Sequence, residues 1–434
     1  MNRKNIIVKN VSLGLLYKVL NMGVAFITIP VLLKFLNTEQ YGLWVTIFSI
    51  VNVIIYIDGG VTNGLKTKLT EALSNHNVKL AKEYISTAYF SIIFFSAFIL
   101  VLGSLSIYII DFNDLLNTSV SENTLKITIF ITLLSMTIGY ILMLYKSLFY
   151  ASQKSATVEL SMLIYQCINL FFLIFALKYF QSSLVYVALF YGIATILIGV
   201  LFSIFFFSQQ KELLPSKKFF KKEVFHNLFG LSINFFLIQL CMIIIFSTDN
   251  LIISNYLGPS EVTNYDIVLK LFQVTITFSV IIQDPFWALY SDAFVKNDFN
   301  WIKKTLKKWN LLFLPFSLLI LILIFVAKPL IRFWIQKDLE ISTNLIVFMG
   351  IFVLVRVYGI IYMTFLNGIG KIKLQMWLYI FGAFINIPLS IYFVKYHNLG
   401  SSGVILGTIM SILTMSVVLP ILTFKLLNES NTIQ

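Results

Sequence analysis

The chain has 434 residues, of which 59% are hydrophobic and only 12% charged, with 42 phenylalanines and a mean hydropathy of +0.89. A soluble domain of this length lacks the interior to hide so much apolar surface, so the composition excludes that class and calls for a lipid solvent. The net charge of +13 is spread over short loops between apolar runs, a distribution that argues against a nucleic-acid face and fits membrane orientation.

The first ten residues, MNRKNIIVKN, have the basic character of a signal peptide. The apolar run behind them is long, contains Lys18 and has no small-residue cleavage pattern, so it reads as a retained first helix. Spans of about 20 residues are predicted at 12–33, 42–62, 84–110, 125–145, 160–177 and 184–208, each long enough to cross the hydrocarbon layer. Then comes KELLPSKKFFKKEVFH, residues 211–226, with five lysines against two glutamates, read as the solvated link between two bundles. Six more spans follow at 227–255, 262–283, 311–331, 342–365, 374–394 and 403–424. The expected fold class is therefore an all-α polytopic membrane protein of about twelve transmembrane helices in two six-helix lobes, residues 1–208 and 227–434, joined by a basic linker at 209–226.

Basic residues alternate between the loops: 22 of the 32 lysines and arginines fall on one side of this threading and 6 on the other. By the positive-inside rule, both termini and the linker are expected in the cytoplasm. Shifting the chain by 221 residues lays Phe35-Leu36-Asn37 on Tyr256-Leu257-Gly258 and the basic segment around Lys82 on that around Lys303. Two copies of an even number of spans enter the membrane in the same direction, the frame of a two-lobed transporter. Residues 64–86 and 291–310 carry apolar residues at helical spacing among lysines and read as interfacial helices under anionic headgroups, or as a grip on a substrate phosphate at the entrance.

Charges inside spans cost about 2.5 to 3.5 kcal/mol each on insertion scales, which makes them the main functional pointers. They are Lys18, Asp58, Asp249, Asp266, Lys270, Asp284 and Arg356. Asp249 and Lys270 fall at similar depth on the two arms of a helical hairpin, and Asp266 shares a helix face with Lys270, so the three can form one cluster. Such a cluster either pins the two helices or acts as a switchable contact, opened by an anionic substrate at Lys270 or by a proton or sodium ion at Asp249. Lys18 and Arg356 have no acidic partner at matching depth; facing a common cleft with Lys270 they make a positive chamber suited to pyrophosphate. Lys18 also lies close enough to its helix end to snorkel to the surface. Pro30, Pro315, Pro388 and Pro420 fall within spans and permit kinks.

His76, His226 and His397 all fall in predicted loops, and there is no HExxH, P-loop, GxSxG or CxxC motif. An enzyme, a bound metal and a cofactor are therefore not expected.

The first hairpin carries Pro30, then Phe35-Leu36-Asn37-Thr38-Glu39-Gln40-Tyr41-Gly42-Leu43-Trp44, and a span ending in Asp58-Gly59-Gly60 before a basic loop. This resembles the polysaccharide transporter family, which includes the O-antigen and lipid-linked oligosaccharide flippases. The family's outer turn reads leucine-glycine and then tyrosine-glycine, and Asn37 stands here where glycine is usual. The resemblance implies a MATE-like fold and a substrate of undecaprenyl pyrophosphate bearing a sugar repeat unit, flipped from the inner to the outer leaflet of a bacterial cytoplasmic membrane. It also implies polysaccharide polymerase and chain-length machinery as candidate partners, besides the lipid bilayer itself. Tyr41, Gly42, Asp58 and Gly59 belong to its structural signature, and Asp58 is in addition a candidate for ion coupling with Asp249 and Asp266. The alternatives are a cation-coupled multidrug exporter of similar shape, which should prefer an acidic cleft, and a membrane glycan polymerase or ligase, which should need carboxylates facing the outside.

Overall fold

The computed structural model describes residues 3–55, 61–230 and 233–429. Among them every regular element is a helix: α1 Arg3–Phe35, α2 Thr38–Ile55, α3 Val61–Ser74, α4 Val78–Ile109, α5 Phe112–Leu116, α6 Glu122–Leu142, α7 Tyr145–Ala151, α8 Ser155–Tyr179 and α9 Leu184–Gln209. After two short turns follow α10 Lys222–Gly230, α11 Ile233–Leu257, α12 Pro259–Gln283, α13 Phe286–Val295, α14 Phe299–Ile335, α15 Thr343–Gly368, α16 Lys373–His397 and α17 Ser401–Glu429. Eleven helices among the described residues are long and apolar enough to span a membrane. The remaining predicted span begins in α2 and runs into residues 56–60, outside the described residues.

The chain divides into two compact units, Met1–Phe236 and Leu237–Gln434. In the first, α1 packs along α8, α6 lies between α4 and α9, and α3 packs on α4 and α7. In the second, α17 packs on α16 and α15, and α12, α13 and α14 all contact α15. Phe94, Phe98, Leu102 and Leu105 of α4, and Leu311, Leu314, Leu318 and Phe325 of α14, are exposed. Such stripes are tolerable only against hydrocarbon.

The halves repeat in their helix starts. α2, α4 and α6 begin at Thr38, Val78 and Glu122, and α12, α14 and α15 begin 221 residues later in each case, at Pro259, Phe299 and Thr343. The stop signals repeat too. His76 and Asn297 both adopt left-handed φ, at 55° and 57°, ending one helix with the αL turn that such residues tolerate. The next residue then caps the following helix: the Asn77 side chain accepts from the Leu80 N–H at 3.0 Å, and that of Asp298 from the Trp301 N–H at 3.0 Å.

One expectation is corrected here. The amphipathic segments do not spend their apolar faces on lipid. Val61, Leu65, Leu69 and Ala72 of α3 are buried in a core with Ile85, Ala88, Leu148 and Phe149. In the second half, Trp301 meets Tyr290 at 5.8 Å and Trp309 meets Phe286 at 5.1 Å, so both tryptophans close onto α13. The linker is exposed over most of its length and is also fastened to the first unit. The Lys221 ammonium lies 2.7 Å from the Glu83 carboxylate, whose side chain is 7% exposed. The Ser216 and Lys221 N–H groups donate to the hydroxyls of Ser86 and Thr87 at 3.1 and 3.2 Å. Leu213 is buried, and Phe220 meets Phe90 edge-on. The polar linker sequence hides a row of apolar contacts that fasten it along α4.

Candidate functional site

The hairpin of α11 and α12 turns at Gly258, whose φ of +89° suits glycine, and Pro259 supplies a preset φ at the first position of α12. Asp249 and Tyr265 stand symmetrically about this turn, eight residues before and after Leu257, and so at equal depth. The Tyr265 hydroxyl donates to Asp249 Oδ2 at 2.6 Å. From α17, the Thr408 hydroxyl reaches both carboxylate oxygens, at 3.2 and 3.1 Å. Behind it, Asn386 of α16 donates to Thr408 Oγ1 at 3.2 Å and accepts from the Thr248 hydroxyl at 3.4 Å. The Asp249 side chain is thus buried in a polar knot gathered from four helices, and no ion pair to it occurs among the described residues.

Glycine makes the knot possible. A Cβ on Gly407 would fall 2.5 Å from Ser390 Oγ and 2.8 Å from its backbone nitrogen, and one on Gly382 would fall 2.7 Å from the Ser411 carbonyl oxygen. The small faces let α16 and α17 approach until Asn386 reaches Thr408 and Ser390 reaches the Val404 carbonyl.

The expected cluster of Asp249, Lys270 and Asp266 does not form. Lys270 lies 3.9 Å from Asp266 on the same helix, with its side chain 43% exposed against 4% for Asp266. Five residues separate Tyr265 from Lys270, a rotation of about 140° around α12. A helix that offers Tyr265 to Asp249 therefore turns Lys270 away.

Arg356, on α15, sits with its guanidinium carbon 4.1 Å from the centroid of the Phe246 ring and 5.6 Å from that of Phe352. The guanidinium has five N–H donors, and among the described residues none meets an acceptor. Two aromatic faces at such distances contribute about 0.5 to 2 kcal/mol, less than the insertion cost of an arginine. Lys18 is half-buried on α1 in the first unit, beside Leu15, Leu16, Val19 and Leu20, all exposed, and makes no ion pair among the described residues. Asp58 lies outside the described residues.

Tyr265, Thr408 and Asn386 were not singled out in the sequence. The equal spacing of Asp249 and Tyr265 about Leu257 was a usable signal for the first; nothing local pointed to the other two. Lys146 was also missed. It counts among the loop lysines by sequence, yet it lies inside the long apolar stretch Glu122–Ala151.

The architecture defines the class. Solved MATE transporters share it: an inward-facing multidrug resistance MATE family transporter aligns at TM-score 0.79 with 13% identity, over 95% of this chain and 96% of that one. A transporter from Pyrococcus furiosus, described as having a binding pocket of reverse polarity, aligns at TM-score 0.69 with 13% identity over 98% and 96%. The fold is MATE-like, as the first hairpin implied.

The family model for polysaccharide biosynthesis protein matches residues 7–283, and that for MatE matches residues 234–392. The chain belongs to the polysaccharide biosynthesis protein family. A putative O-antigen export protein of Yersinia pseudotuberculosis is 26% identical over 91% of this chain and 90% of its own length. A putative O-antigen transporter of Salmonella typhimurium is 29% identical over 42% of each.

Proposed function

We propose that this protein is a flippase that moves undecaprenyl-pyrophosphate-linked oligosaccharide repeat units from the inner to the outer leaflet of a bacterial cytoplasmic membrane by alternating access. A transporter, and not an enzyme, is the reading that its relatives share. The observation that carries the substrate class is Arg356: a guanidinium within a span, held by Phe246 and Phe352, with no ion-pair partner among the described residues. A planar fork of free donors suits a pyrophosphate, which offers pairs of oxygens at matching spacing. Lys270 is a further proposed substrate cation of the same unit, and Lys18 is a separate candidate within the first unit. Both termini and the linker face the cytoplasm in this reading, and polysaccharide polymerase and chain-length machinery are its candidate partners.

Asp249 is the proposed ion-coupling residue, with Asp266 and Asp58 as secondary candidates. A proton or a sodium ion at a carboxylate that already has two hydroxyl neighbours changes the charge of the knot by one unit. The cation-coupled multidrug exporter is the second reading, and Asp249 is what favours it.

Glycan display separates the two. In a strain depending on this protein, Arg356→Ala is expected to abolish surface glycan while the protein stays in the membrane and lipid-linked repeat units accumulate inside. Normal display by that variant and by the Lys18→Ala and Lys270→Ala variants would remove the proposed site. Raised susceptibility to cationic drugs on deletion, with display intact, would favour the exporter.

A further inference from the structure

We propose that a second anion site, for a phosphate group, lies within the first unit at Lys146. It does not rest on the flippase reading, and it begins with a break in a helix. α6 stops at Leu142 and α7 resumes at Tyr145. Across the break the ladder tightens to i→i−3 bonds, Leu144 N–H to the Ile141 carbonyl at 3.4 Å and Lys146 N–H to the Met143 carbonyl at 3.0 Å. In the second half the corresponding helix, α15, runs unbroken to Gly368. The break is therefore a feature of one copy only, and irregular turns inside membrane helices are commonly tied to function.

Beside it is a cavity of about 100 Å³ whose walls include Tyr145, Lys146, Ser161, Tyr165 and Thr195. At roughly 30 Å³ per water, it has room for about three waters or one phosphate group. Three of the wall hydroxyls have committed their hydrogens. Ser161 donates to the Val158 carbonyl at 2.6 Å, so Tyr145 is the donor in its 2.6 Å contact with Ser161. Thr195 donates to the Tyr191 carbonyl at 2.8 Å. The side of Tyr145 is fixed by stacking on Phe202, centroids 5.5 Å apart.

The Lys146 ammonium is different. It has three donors, is half-buried, and meets no hydrogen-bond acceptor or ion-pair partner among the described residues. Glu159, on α8, acts on it electrostatically from beyond ion-pair distance and accepts instead from the Tyr150 hydroxyl at 3.4 Å. The Lys66 ammonium lies over the Tyr150 ring, 4.5 Å from its centroid. The Lys146 ammonium thus lines the cavity while the nearby carboxylate is hydrogen-bonded to Tyr150. The remaining walls, Met143, Met162 and Ile198, suit the ester side of a phosphate better than a fully hydrated ion. The shared chemistry is a phosphate group, whether on a lipid headgroup or free in solution.

Lysine acylation of the full-length protein tests this. The protein is held in phosphatidylcholine nanodiscs with chloride, in the same nanodiscs with inorganic phosphate at equal ionic strength, and in nanodiscs containing phosphatidylglycerol. Labelling at Lys146 is compared with that at exposed Lys79. Occupancy should slow acylation of Lys146 by about threefold or more relative to Lys79. Protection by inorganic phosphate identifies a free-anion site, and protection only with phosphatidylglycerol identifies a lipid headgroup. Glu159→Gln removes the competing carboxylate and should lower the phosphate concentration needed. Because a recessed amine can escape acylation, melting temperature is the second readout: phosphate or phosphatidylglycerol should raise that of the wild type and not that of Lys146→Met. Equal acylation in all three conditions, or no labelling together with an equal melting response in Lys146→Met, overturns the proposal.

Discussion

Removing the Tyr265 hydroxyl leaves Asp249 with Thr408 as its one remaining donor among the described residues, and a buried carboxylate that loses a donor keeps the cost of its desolvation. Tyr265→Phe is therefore expected to destabilise the protein by about 1 to 3 kcal/mol, read as a lower unfolding temperature in detergent. Thr408→Val should do the same. The double variant should fall short of the sum, because both hydroxyls act on one carboxylate. An unchanged unfolding temperature in Tyr265→Phe would mean that the knot contributes nothing to stability. The charged residues were legible one by one, because each is conspicuous in an apolar run. Their partners were not. In a soluble helix the apolar stripe reveals which face turns inward, but a membrane helix is apolar all round, so nothing in the sequence around Lys270 said that it pointed away from Asp249.

Whole helices were easier to read, since length and hydropathy alone set where a span can lie. Ten of the twelve predicted spans lie along single observed helices; the second runs into residues outside those described, and the seventh begins within α10. α14 is 37 residues long, about 55 Å at 1.5 Å per residue, so its basic first turns and its span are one rod. The close crossing of α16 and α17 is a separate dependence. Gly407→Leu would drive a side chain into Ser390, whose backbone nitrogen cannot yield as a flexible side chain does. The expected loss is about 1 to 3 kcal/mol from overpacking, together with separation of Asn386 from Thr408. A leucine there that leaves the unfolding temperature unchanged would show that the two helices can part without consequence.

Across the whole chain, the lysine count sets an orientation that the fold alone does not. Reporter fusions after Lys217 in the linker and at the C-terminus are expected to report the cytoplasm, and one after Phe180, between α8 and α9, the opposite side. Fusions after Lys217 and Phe180 that report the same compartment would contradict the threading. The recurrence of helix starts and caps at 221 residues has a further consequence, which concerns descent. A chain made by doubling a six-span ancestor begins with every intramembrane charge present twice or not at all. Here the counterpart of Arg356 is Ser135, that of Asp249 is Thr28, that of Lys270 is Ser49, that of Lys18 is Gln239, and that of Lys146 is Asn367. In each of these five pairs one copy is ionisable and the other is a neutral polar residue, whereas the counterpart of Asp266 is the apolar Val45; in a chain that arose by such a doubling, the two halves have since divided the electrical labour between them.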